Sequence, residues 1–158
     1  MNRLFFFLPA LLLFAQCKTS KLATADYDTP YNYEGRSISF GNGGGFTGRV
    51  VEYTLMDNGQ IFKGANREGN VTMIKTIPKD RTEQIFSSYD LLGFGEQTVD
   101  GPGNMYYYVE MTDQNNRHKL IWGDYDAGES KTLRTYYRNL MSLVSNATTP
   151  KPTDYDIK

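Results

Sequence analysis

The stretch Arg49–Gly64, "RVVEYTLMDNGQIFKG", decides the fold class. Val51, Tyr53 and Leu55 alternate with their neighbours, the period of a strand with one buried face. Asp57, Asn58 and Gly59 are the residue types that a tight reversal needs, and Ile61 and Phe62 resume an apolar run. The whole reads as a β-hairpin. Upstream, "RSISF" (36–40) alternates with Ile38 and Phe40 on one side, and downstream "NVTMIKTI" (70–77) supplies a further strand. After Pro78 the period turns helical, with Ile85, Phe86, Tyr89 and Leu92 in register and Gly93 placed to end the helix in a left-handed cap.

The second half has the same order of elements. "GPGNMYYYVEM" alternates Met105, Tyr107, Val109 and Met111; "TDQNN" turns the chain; "RHKLIWG" returns with His118, Leu120 and Trp122 on one face. Asp126 and Glu129 have capping-box spacing, and Leu133, Tyr137, Leu140 and Val144 form the stripe of a terminal helix. The expected fold is α+β: a single antiparallel sheet of hairpins with two helices packed on one face. Asp100 to Asn104 reads as a turn.

Ahead of the hairpin lies "GGGFTGRV" (43–50), which fits the pattern G-x-G-x-x-G-x-V. Glycine-rich loops of this kind approach phosphates closely through backbone N–H groups. The dinucleotide version requires a helix directly afterwards, whereas here a strand follows. The kinase version requires a Val-Ala-Ile-Lys strand, a His-Arg-Asp loop and Asp-Phe-Gly, none of which occurs. Two readings stay open. In one the glycines make a bulged connection and Phe46 folds into the core. In the other, Gly43, Gly44, Gly45, Phe46, Thr47 and Gly48 form a presented loop with Phe46 as an apolar anchor for a partner.

Taken with the helix that follows, the Tyr-rich strand "MYYYVE" and the Leu-rich terminal helix, "GGGFTG" resembles a family of small Bacteroidota lipoproteins of unknown function. It is also similar to the emfourin-type inhibitors of thermolysin-like metalloproteases, which carry Gly-Gly-Phe-Ala-Gly at the start of a small sheet-and-helix domain. The match covers residues 44–48, with Thr47 in place of alanine, and the order of elements. That resemblance implies a non-catalytic, protease-restraining role for the loop.

The beginning of the chain, "MNRLFFFLPALLLFAQC", has Arg3 before an apolar run from Leu4 to Ala15 that is short for a membrane span. Cys17, the only cysteine, falls where such a run ends. The segment resembles a bacterial lipoprotein signal peptide, with residues 1–16 removed and Cys17 carrying lipid. The alternative is an ordinary secretory signal cleaved near Ala15. Residues 17–35 read as the lipidated N-terminus and a flexible tether, 36–145 as the α+β domain, and 146–158 as a disordered tail. The expected location is the cell envelope, lipid-anchored at the outer membrane and facing the periplasm.

A formal net charge of −1 without a basic stripe gives nucleic-acid binding no electrostatic support. With Cys17 lipidated, neither a disulfide nor a thiolate nucleophile remains. His118, the single histidine, alternates with Leu120 and Trp122 and reads as a strand residue rather than a general base. Asp124, Asp126 and Glu129 could offer oxygen ligands to calcium, yet they equally suit a helix N-terminus. No catalytic residue, metal or cofactor is expected, and the chain reads as a non-enzyme. Its expected partners are the membrane, through lipid, and a protein. The competing function is a glycan- or envelope-component-binding accessory protein using Tyr106, Tyr108 and Trp122 as an aromatic face.

Overall fold

The computed structural model describes residues 28–64, 70–114, 116–123 and 129–145. Cys17, the segment read as a signal peptide, the segment read as a tail from residue 146, and Asp124 and Asp126 lie outside these residues. Strands β1 (Ser37–Gly44), β2 (Val51–Met56), β3 (Gln60–Lys63) and β4 (Thr72–Thr76) come first, followed by helix α1 (Lys79–Leu91). A 3-10 turn at Phe94–Glu96 leads to β5 (Asp100–Gly101), β6 (Met105–Asp113), β7 (Asn116–Gly123) and helix α2 (Lys131–Ser145).

The expected hairpin forms as β2–β3, closed by the Gly59 N–H donating to the Met56 carbonyl at 2.9 Å. All seven strands join one sheet in the order β4-β3-β2-β1-β6-β7-β5, so β1 and β6 lie at its centre. The sheet is mixed, not purely antiparallel as expected, because β5 runs parallel to β7. The reason is the path of the chain. It arrives from α1 at the far edge, pairs Asp100 and Gly101 with Ile121 and Trp122, and only then turns into β6. Two residues, the second of them the first glycine of Gly-Pro-Gly, carry no alternation, so Asp100–Asn104 reads as a turn alone.

Strand alternation puts Ile38 and Phe40, Tyr53 and Leu55, Val109 and Met111, and Leu120 and Trp122 into one buried apolar cluster. That cluster also takes in Ile85, Phe86 and Tyr89 of α1 and Leu133, Tyr136, Tyr137, Leu140 and Val144 of α2. Leu92, read as part of the α1 stripe, is instead exposed, because the helix has ended by then and Gly93 takes the left-handed conformation (φ 64°). Tyr136 packs on Tyr89 and on Phe94, with ring centroids 6.2 and 5.1 Å apart, and its hydroxyl donates to the Ile85 carbonyl at 3.1 Å. The start of α2 is capped by Ser130, whose Oγ accepts the Leu133 N–H at 3.0 Å.

Described chain also reaches into the segment read as tether. Pro30 is buried, the Tyr33 hydroxyl donates to Asp57, and the Arg36 N–H donates to the second Asp57 oxygen at 2.9 Å. The Arg36 guanidinium then grips Asp90 of α1 through both carboxylate oxygens, at 2.7 and 3.0 Å. The N-terminal approach to β1 is thus tied to both the β2–β3 turn and the first helix.

Burial makes one solution property predictable. Burial, reinforced by neighbouring carboxylates, pushes the Tyr33 and Tyr89 hydroxyls up to about 12; burial, with tyrosines nearby, does the same for Tyr137. Tyr108 and Tyr136 are raised further, again chiefly by burial. The folded chain therefore holds these protons more firmly than the unfolded one. Stability is fully present below the ordinary tyrosine value of about 10 and is lost as pH rises through it and beyond. Urea midpoints measured across this range are expected to be level below it and to fall steeply above it.

Candidate functional site

The glycine-rich segment lies at one end of the central strand. Pairing between β1 and β2 stops at Asn42 and Val51, but β1 continues along β6 as far as Gly44 opposite Met105. The connection therefore overhangs β2 and leans on β6. Its base is fixed by the Gly45 N–H, which donates to the Asn104 carbonyl at 2.7 Å. The Gly48 N–H then donates to the Gly45 carbonyl at 3.1 Å, so residues 45–48 close a β-turn with Phe46 and Thr47 at its corners.

Glycine is needed here for two separate reasons. Gly44, Gly45 and Gly48 have φ of 96°, 71° and 60°, a region that side chains disfavour. At Gly43 the backbone is ordinary, but a Cβ would collide with the Tyr106 ring. Tyr106 stands opposite Gly43, and Tyr108 opposite Gly41, on the neighbouring strand. Tyr106 thus covers the glycine backbone at Gly43 with its ring, while at Gly41 the missing side chain leaves room for the Val51 carbonyl.

Phe46 does not fold into the core, which removes the first of the two readings of this segment. Phe46 is fully exposed, as are Thr47 and Gly48. Val50 and Val51, where the chain enters β2, are also exposed large apolar residues, and Arg49 before them is exposed too. Gly43 is buried at the base, and Gly44 and Gly45 are half-buried.

The aromatic trio read as an alternative ligand face is not brought together. Tyr106 and Tyr108 share one side of β6, with ring centroids 6.3 Å apart. Tyr108 is buried, its hydroxyl donating to the Glu52 carboxylate and its ring lying 4.4 Å from the Lys119 Nζ. Trp122 is on the other side of the sheet, edge-on to Tyr137 at 5.4 Å and beside Tyr107 at 6.2 Å. Pleat parity imposes this separation: Trp122 pairs with Tyr107, which projects opposite to its two tyrosine neighbours.

His118 is a structural link. Its Nε2 lies 2.9 Å from the Gln97 carbonyl, which can only accept, so Nε2 carries the proton. Nδ1 then accepts the Tyr89 hydroxyl at 2.9 Å. The ring joins β7 to α1 and to the segment after the 3-10 turn. Glu129 is buried and ion-paired with Arg134. Among the described residues, no three His, Cys, Asp or Glu side chains converge as metal ligands, and no helix is long and apolar enough to cross a membrane. No protein-family model matches the chain, and no curated protein sequence matches it.

Proposed function

We propose that this chain is a lipid-anchored cell-envelope protein, held through Cys17 at the outer membrane and facing the periplasm, that binds a protein partner without catalysis. The β1–β2 tip is its binding wedge, and the best specific version is restraint of a metalloprotease. One observation carries the reading: Phe46 is fully exposed on a hydrogen-bonded turn whose base is pinned to β6. A large apolar ring held away from the core gains nothing in folding, and in a preordered turn it loses little entropy on binding. In this reading both helices pack on the sheet face that carries Phe40 and Trp122. Their part is to stiffen the central strands from which the wedge projects.

The inhibitor version makes a direct demand. Full-length chain added to a thermolysin-like metalloprotease is expected to slow cleavage of a peptide substrate in a saturable way, and the Phe46→Ala chain is not. Undiminished cleavage at saturating chain would remove the inhibitor version, while a partner of another kind would still be sought through the same tip.

A further inference from the structure

Away from the wedge, the sheet and α2 enclose a cleft of about 390 Å³, lined by Tyr107, Trp122, Gly123, Arg134, Tyr137 and Arg138. Its size suits one small molecule. The polar groups in its wall are unusual. Trp122 and Tyr137 are both more than nine-tenths buried, a setting in which an indole N–H and a phenol hydroxyl ordinarily find partners. Among the described residues, neither side-chain group makes a hydrogen bond, and both side chains line the cleft. Both therefore have hydrogen-bonding capacity to offer at the cleft surface.

Charge in the cleft is equally specific. Arg134 and Arg138 stand one helical turn apart on α2 and so share a face. Arg134 is engaged by the buried Glu129 carboxylate. Arg138 is exposed and has no ion pair, hydrogen bond or ring contact among the described residues. The three charges leave one positive charge over, carried by a guanidinium whose planar fork matches a carboxylate. Gly123 keeps the wall flush, since a Cβ there would strike the backbone of Gly103.

We infer that this cleft binds a carboxylated sugar of the uronic-acid type. Arg138 takes the carboxylate, the Trp122 N–H and Tyr137 hydroxyl meet ring hydroxyls, and the aromatic side chains contact the C–H surface. The inference stands apart from the wedge, at different residues and with a different ligand class. It also moves the aromatic recognition expected of Tyr106, Tyr108 and Trp122 to the side of the sheet where Trp122 lies.

Trp122 is the only tryptophan in the chain, so its emission reports on the cleft directly. Full-length chain would be titrated with sodium glucuronate, glucose and sodium N-acetylphenylalaninate at constant ionic strength. Glucuronate is expected to give a saturable change in emission, with glucose and N-acetylphenylalaninate each weaker by roughly tenfold or more. Arg138→Gln, at an exposed helical position, should keep the far-UV circular dichroism spectrum while weakening glucuronate by a similar factor. No saturable response to glucuronate, an equal response to glucose, or an unchanged response in Arg138→Gln overturns the proposal. Preference for N-acetylphenylalaninate would likewise overturn it, by showing a carboxylate site built for an amino-acid body.

Discussion

Phe40→Ala is expected to destabilise the fold by about 3–5 kcal/mol. Phe40 sits in the middle of β1 between Tyr53 and Val109 on the flanking strands, wholly buried, with its ring stacked on Tyr53 at 5.8 Å between centroids. Removing the ring takes apolar area out of the core and leaves a cavity that two hydrogen-bonded neighbouring strands cannot close. Because β1 lies at the centre of the sheet, the loss reaches both halves of the domain. Urea denaturation followed by circular dichroism measures it. A midpoint unchanged from wild type would mean that the β1 register described here is wrong.

Phe46→Ala makes the same chemical deletion six positions along and is expected to do the opposite. Since Phe46 is fully exposed, the unfolding midpoint should stay where it is. Partner affinity should instead fall by at least about thirtyfold, the scale of an interface hot spot. The turn's own hydrogen bonds run through Gly45, Gly48 and Asn104, so alanine leaves the backbone path intact. Isothermal titration of the partner against both chains reads the affinity. Destabilisation comparable to that of Phe40→Ala would return Phe46 to the core and end the wedge reading.

The contrast between these two phenylalanines also shows what the sequence can and cannot reveal. Phe40 alternates with Ile38, and that period places it on the buried side of a strand without any knowledge of the fold. The β2–β3 hairpin and the α2 stripe are legible for the same reason. Phe46 has glycine on one side and Thr-Gly on the other, so no period decides whether it points inward. Its exposure follows from β1 outrunning β2 along β6, a matter of long-range register.

Other features were hidden by similar non-local causes. The tyrosine surplus on β6 and the glycine surplus on β1 look unrelated in the sequence. Only the pairing of Gly43 with Tyr106, whose ring a Cβ at Gly43 would strike, shows one making room for the other, while Gly41 makes room for the Val51 carbonyl. Parity along "RHKLIW" correctly groups Trp122 with Leu120, but parity alone does not say which face of another strand it joins. The α2 cap was legible in type and displaced in position: Ser130 fills the role expected from the Asp126 and Glu129 spacing, and Glu129 pairs with Arg134. A spacing rule finds residues able to cap, while packing selects the one that does.

The central claim is that the β1–β2 tip is a presented binding wedge, and affinity capture tests it most directly. Full-length chain and its Phe46→Ala variant, both shown to be folded, would be used as baits on the solubilised envelope of the source organism. A protein retained by the native chain and lost from the variant is the predicted result. Identical captures by the two chains would contradict it.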